Sequence, residues 1–349
     1  MTVEETLAKL RSNLTGNTDD DMKYLEAEAV NFMNGKDKER LEIIDGITKI
    51  MYEIMPEEKK KVINDMMYVD GSRLDVLYNK AEELVKNKEI EAAYEITTKI
   101  YNKIIAVYRE TEESKYMCFR NPFEHQLYLN IYVVNKKLER APFDLPKMML
   151  LHAYILVEMR KPAEAAEVLN QAIRYNPVNV DVYFELAECY KVLCEPDKLL
   201  SSIKEALLIA STPYALSRCY ANLGYYCIEK KDYDSAVCFY YESLIYAPHP
   251  GVQGELMHIA SITRKKIQPP IREEVVAAFN KYGLTPGADK DLLAIAAALG
   301  QEAIKREDNN LARFYLIILY GLTRDEKVGD LIEKKYGGIP EELKSKSEK

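Results

Sequence analysis

The reactive residues of this 349-residue chain are six cysteines, four histidines and a tyrosine-rich stretch at 220–250, YANLGYYCIEKKDYDSAVCFYYESLIYAPHP. Cys118, Cys189, Cys194, Cys219, Cys227 and Cys238 form no C-x-x-C pair, and none stands beside a histidine at metal-ligand spacing. A chain of this length buries enough apolar surface to fold without disulfides, so reduced cysteines acting as small buried hydrophobes are expected. His125, His152, His249 and His258 are scattered, with no two lying three or four apart, so two ligands on one helix face are not available. There is no G-x-S-x-G, no phosphate-cradling glycine loop and no H-E-x-x-H. The residues therefore predict no enzyme, no metal and no cofactor. His249, between Pro248 and Pro250, is expected in an exposed turn.

Charge and hydropathy narrow the partners. Net charge is −8, and the short basic runs Lys59-Lys60-Lys61 and Arg264-Lys265-Lys266 have the spacing of solvated helix faces. A protein that holds a phosphate backbone usually carries a basic face, so nucleic acid is not expected as a partner. The N-terminus, MTVEETLAKLRSNL, lacks the unbroken apolar core of a signal peptide. The longest apolar runs, 292–299 and 314–320, fall far short of the roughly 18 residues of a membrane span. A cytoplasmic location without membrane attachment follows as the expectation.

The elements that must position any site show themselves as a repeat. Tyr220, Leu223, Gly224 and Cys227 precede Ala236, Tyr240 and Pro248 at helical offsets. The same types recur as Met149, His152-Ala153 and Leu156 before Ala165, Leu169, Ala172 and Pro177, and as Tyr183, Leu186-Ala187 and Tyr190 before Leu199, Ile203 and Ala206. Ala172 and Ala206 are 34 residues apart, and about three residues are inserted before the next unit, near Thr212-Pro213-Tyr214. A later unit carries Ala296, Leu299-Gly300 and Ala303, then Ala312, Leu316 and Leu319. Leu77, Ala81 and Leu84 before Ala93 and Ile100 repeat the theme upstream, and residues 21–54, with Tyr24, Ala27 and a Gly35 turn, are a degenerate candidate. Small residues let two helices approach; bulky ones fill the space within and between units.

This pattern resembles the tetratricopeptide repeat, a 34-residue helix–turn–helix unit. The resemblance is clearest over 146–250 and weaker over 74–107 and 251–323. It implies an all-α fold, a right-handed α-solenoid of five to seven antiparallel helix pairs. The organisation expected is an N-terminal helical segment at 1–70, a helix pair plus an irregular helix at 71–145, three units at 146–250, degenerate units at 251–323 with a break at Pro269-Pro270, and a capping helix with a charged tail at 324–349. Residues 108–145 do not fit the repeat; Asn121-Pro122 can start a helix there, expected over about 123–138. His152 occupies a position where the repeats put a large apolar residue, so it is expected packed and hydrogen-bonded in the core.

In such solenoids the first helices line the concave face, which implies a partner-binding surface of Tyr154 and Glu158, then Asp181, Phe184, Glu185 and Glu188, then Arg218, Asn222 and Tyr225. That groove has aromatic anchors, an acidic middle and a cationic edge, suited to a peptide or partner helix with basic character. Tetratricopeptide co-chaperones clamp a C-terminal carboxylate with lysines and asparagines on successive first helices; Arg218 and Asn222 offer a fragment of that. Glu185 and Glu188 stand where cations would be wanted, and they repel a ligand carboxylate. The function expected is a non-catalytic scaffold or adaptor that binds a protein or peptide. The alternative is a peptide-responsive regulator whose first 70 residues serve as a helical effector. Neither partner identity nor oligomeric state is written in the residues.

Overall fold

The computed structural model of the protein describes residues 2–34 and 39–344. The Gly35 turn and the last residues of the charged tail lie outside the described residues. The chain divides into two compact units, Met1–Leu74 and Asp75–Lys349.

In the N-terminal unit, α1 (Val3–Ser12), α2 (Thr18–Asn34), α3 (Arg40–Ile54) and α4 (Glu57–Met67) precede a small hairpin of β1 (Tyr68–Val69) and β2 (Ser72–Arg73). Its core is Leu10, Leu25, Ile43, Ile47 and Ile50, with Leu7, Tyr24 and Phe32 packed around it. Thr2 and Glu5 cap α1 reciprocally, and the Asp21 carboxylate accepts from Thr15 and Gly16 to close the α1–α2 turn.

The second unit is a solenoid of antiparallel helix pairs. They are α5 (Leu74–Lys86) with α6 (Ile90–Val107), then, past the segment described below, α8 (Leu145–Glu158) with α9 (Pro162–Tyr175), α10 (Val180–Val192) with α11 (Pro196–Ile209), and α12 (Pro213–Glu229) with α13 (Tyr233–Tyr246). After them come α14 (Val252–Thr263) with α15 (Arg272–Lys281), α16 (Lys290–Lys305) with α17 (Asn309–Thr323), and the closing helix α18 (Glu326–Lys335). The sequence period is also a backbone period. Lys88, Arg160, Cys194, Lys231 and Glu307 all have positive φ, between 56° and 63°, at the turn inside their pair. The residue after each donates to a carbonyl five residues back: Glu89 to Leu84, Lys161 to Leu156, Glu195 to Tyr190, Asp232 to Cys227 and Asp308 to Ala303. This is a left-handed helix stop built five times from non-glycine residues. It accounts for the exposed Cys194, which sits at the turn position rather than in a reactive site.

Small residues do stand at the helix–helix contacts. Ala153, Ala165, Ala187, Ala236 and Ala312 are all buried, and Tyr240 packs on Gly224. In the pair α14–α15 the break at Pro269-Pro270 is present, but Val275, Ala278 and Phe279 face the core, while Val276 and Ala277 face outwards. The terminal pair α16–α17 reaches back across the unit: Phe123, in the segment between α6 and α8, meets Tyr315 at 6.2 Å between ring centres, and Gly321 lies under Pro213 of α12.

Residues 108–145 depart from the expected single helix. The helix α7 covers Pro122–Ile131, capped by Asn121, and stops there; residues 137–140 are not helical. They form strand β4 (Lys137–Arg140), which pairs in parallel with β3 (Ser114–Met117). The reason is local and tertiary together. Tyr132, Val133 and Val134 favour extended backbone over helix, and β3 supplies a ladder that an isolated helix turn could not match.

His152 is a core residue. Its Nδ1 lies 2.9 Å from the Thr97 hydroxyl, and its ring is stacked between Tyr94 and Tyr101 at 5.7 and 5.3 Å. Burial holds its pKa down at about 4. The unfolded chain takes up a proton on this group below its ordinary pKa of about 6.5, while the folded chain resists until about 4. Stability therefore falls as pH drops through that window, by up to about 3 kcal/mol. Urea unfolding at pH 7 and pH 4.5 should show the loss, and His152→Gln, which cannot titrate, should make the two midpoints more alike. Equal pH dependence in both proteins would contradict the assignment.

Candidate partner-binding groove

The expected concave residues fall into two sets. The tighter one is built by α10 and α12. Arg218 donates to Glu185 Oε1 at 3.1 Å while its guanidinium lies over the Phe184 ring at 4.6 Å. Lys191, one turn further along α10, donates to Glu188 Oε1 at 2.8 Å and to Asn222 Oδ1 at 2.6 Å, and its ammonium lies over the Tyr225 ring at 4.9 Å. Each cation thus has an aromatic face beneath it and a carboxylate beside it, an arrangement that strengthens both contacts. The side chains of Arg218 and Lys191 are only 22% and 17% exposed, whereas Glu185 and Glu188 are 44% and 46% exposed. The cations are sunk in the floor and the carboxylates form the lip.

Two expected surface residues are not on the surface. Phe184 is buried beneath Arg218, and Asn222 is 4% exposed. The Asn222 amide nitrogen is buried with no hydrogen-bond partner. His249, expected in an exposed turn, is half-buried, with Nδ1 shielded and also unpartnered. Its pKa is held below the usual range, first by burial and then by the nearby Lys191 and Arg218 charges. It joins this groove from the turn after α13. Lys191 and His249 are members that the repeat pattern alone did not point to. Lys191 is in the last turn of its helix and reaches the groove through a long side chain, a reach that helical spacing does not encode.

The other expected residues lie apart. Asp181 is engaged by Arg120 Nη1 at 2.6 Å. Arg120 also donates through Nε and through its backbone amide to Glu124, at 2.6 and 2.8 Å, and Asn176 Nδ2 donates to the same carboxylate at 2.8 Å and to the Cys118 carbonyl at 2.9 Å. This network ties the β3–α7 segment to the turn between α9 and α10. Tyr154 and Glu158 are exposed on α8.

Tyr220 and the cysteines of 220–250 are structural. The Tyr220 hydroxyl donates to the Gly287 carbonyl at 2.7 Å and accepts from the Gly287 amide at 2.9 Å, stapling the loop before α16. Burial raises the thiol pKa of Cys227 to about 12 and of Cys238 to about 11, and raises that of Cys219 too, so these sulfurs stay protonated. Among the described residues, no group of His, Cys, Asp and Glu is arranged to hold a metal ion, and no helix is long and apolar enough to cross a membrane.

Antiparallel helix pairs with a recurring turn and a shared core define an α-solenoid, a class that offers extended surfaces for binding other proteins. A family model described as Tetratricopeptide repeat matches residues 146–179, the pair α8–α9 and the turn that follows. That helix pair is similar to a tetratricopeptide repeat, and the match covers one pair of the solenoid. A chain in the solved structure titled "Crystal structure of APC/C hetero-tetramer Cut9-Hcn1" is similar to it at 13% identity and a TM-score of 0.39, over 94% of this chain and 58% of that one. No curated protein matches the sequence.

Proposed function

We propose that the protein is a non-catalytic, cytoplasmic interaction scaffold that binds a peptide or partner helix of basic character in the groove between α10 and α12. The observation that carries this reading is the Arg218–Glu185 ion pair between the two helices, beside the Lys191–Glu188 pair on α10 whose ammonium also reaches Asn222 of α12. Arg218 and Lys191 are already neutralised in the floor, and what the groove presents outwards is Glu185 and Glu188 beside the Tyr225 ring. A basic side chain finds carboxylates at the lip, while an acidic one is repelled. An aromatic or aliphatic anchor of the ligand would lie along Tyr225, and a longer ligand would reach the exposed Tyr154 and Glu158 on α8, while Asp181 is held by Arg120.

Fluorescence anisotropy of the full chain with two labelled ten-residue peptides tests this. The peptides share their apolar spacing and carry either lysines or glutamates. The lysine peptide should bind, and the double substitution Glu185→Gln, Glu188→Gln, which removes the charge but keeps an acceptor oxygen for Arg218 and Lys191, should weaken it at least tenfold, with folding checked by the thermal unfolding midpoint. Preference for the glutamate peptide in this groove, or binding indifferent to the double substitution, would overturn the reading.

A further inference from the structure

The parallel sheet of β3 and β4 lies outside the repeat, and its two edges are unlike. In the register Ser114↔Lys137 to Met117↔Arg140, the Lys137 amide donates to the Glu113 carbonyl at 2.9 Å and the Ala141 amide to the Met117 carbonyl at 3.2 Å. Backbone groups of 137, 139 and 141 therefore face β3, and those of the alternate residues, Leu138 and Arg140, face the other way. On β3 the outward groups at both ends are engaged by the fold. The Ser114 amide donates to Thr111 Oγ1 at 3.0 Å, the Ser114 carbonyl accepts from the Thr111 amide at 2.9 Å, and the Cys118 amide donates to the Tyr175 carbonyl at 2.9 Å. On β4 no strand lies beyond among the described residues, where the sheet has two strands in the order β3–β4. The ends of one edge are engaged by the fold and the other edge is open.

The end of β4 also walls a cleft of about 460 Å³, shared with Met117, Phe119, Arg120 and His125. His125 stacks on Phe119 at 5.0 Å, making one side apolar and flat. The charges around it are mostly committed: Arg120 to Glu124 and Asp181, and Glu139 to Lys137 at 2.7 Å. Arg140 is exposed and has no carboxylate within ion-pair distance among the described residues.

We propose that the outer edge of β4 is a strand-addition site for an extended acidic segment of a partner protein. The segment's backbone pairs with the outward amides and carbonyls of Leu138 and Arg140. An apolar side chain enters the cleft against Met117 and Phe119, and a carboxylate meets Arg140. Main-chain hydrogen bonds supply affinity in such a mode, and pockets for alternate side chains supply selectivity. The charge argument is local. A chain of net charge −8 repels acidic segments at long range, so an uncommitted arginine at an open edge is where one can settle. The site stands independently of the α10–α12 groove, whose ligand is basic.

The probe is a fluorescein-labelled octapeptide of alternating valine and glutamate, titrated into the full chain. Saturable binding is expected, with slowed amide exchange at Leu138 and Arg140. N-methylation of the peptide's alternate residues should abolish binding in one register and spare it in the other, the signature of a ladder that uses every second amide. Arg140→Glu should weaken binding at least tenfold with the unfolding midpoint unchanged, and a valine–lysine octapeptide should not protect these amides. No saturable binding, exchange protection on α10 and α12 instead, or binding indifferent to both N-methylation and Arg140→Glu would overturn the proposal.

Discussion

Glu124→Ala should destabilise the protein by about 2–4 kcal/mol, among the largest effects of any single polar substitution in the chain. Glu124 is 5% exposed, and its carboxylate accepts from Arg120 Nε, the Arg120 backbone amide and Asn176 Nδ2, at 2.6 to 2.8 Å. Removing one partner of a buried ion pair leaves the other desolvated without compensation and costs about 3–5 kcal/mol. The figure here is lower because Arg120 keeps Asp181 and its side chain is a third exposed, so water and the second carboxylate recover part of the loss. The Asn176 Nδ2 has no such recourse, since the residue is fully buried; that nitrogen retains only the Cys118 carbonyl. Glu124→Gln keeps an acceptor for Asn176 and should cost roughly half as much. Asp181→Asn, at the exposed end, should cost less than about 1 kcal/mol. Urea denaturation of the three variants measures the series, and amide exchange at Cys118 and Arg120 should quicken in the first. A cost below about 0.5 kcal/mol for Glu124→Ala would mean that this network does not fasten the β3–α7 segment.

That segment is also where the sequence was hardest to read. The repeat units were legible because residue type and spacing carry the same information: alanine or glycine where helices touch, a bulky residue where they leave space, proline or a capping side chain at the ends. The pairing of Ser114 with Lys137 has no such local signature, because the two residues are 23 positions apart and nothing periodic joins them. The apolar run through Ile131 and Val134 continues the look of a helix past the point where α7 ends. Within the groove, the neighbours Arg218 and Glu185 could be placed on facing helices from periodicity, and they do form an ion pair. The burial of Asn222 and the arrival of His249 could not, since both depend on how the turn after α13 folds over α12. The left-handed turn residues were hidden for the opposite reason. Arg160, Cys194 and Lys231 recur at the repeat spacing but are not one residue type, because the position selects a backbone conformation rather than a side chain.

Two glycines that occupy the same place in the repeat should respond to alanine with opposite signs. At Gly224 an added Cβ would lie 2.7 Å from Tyr240 Cε1 and Cζ and 2.8 Å from Cδ1. These are ring atoms of a side chain 2% exposed, so the ring cannot swing aside and the two helices must part. Overpacking of this kind costs about 1–3 kcal/mol or more, and it exceeds the gain of about 1 kcal/mol that alanine brings to a helix interior, so Gly224→Ala should be destabilising by about 1–2 kcal/mol and Gly224→Val by more. At Gly300 the nearest atoms are Tyr315 Cβ at 3.6 Å and Leu316 Cδ2 at 4.0 Å, ordinary van der Waals contacts. The close approach expected there is absent, the propensity gain stands alone, and Gly300→Ala should be stabilising by about 0.5–1 kcal/mol. Tyr240→Leu opens space at the first site. The double variant Gly224→Ala, Tyr240→Leu should therefore be more stable than the sum of the single losses predicts, by about 1 kcal/mol. Thermal and urea unfolding of the four single variants and the double one decide the matter. If Gly224→Ala stabilises as Gly300→Ala does, or if the Gly224 and Tyr240 substitutions simply add, then the contact between α12 and α13 is looser than the 2.7 Å geometry requires.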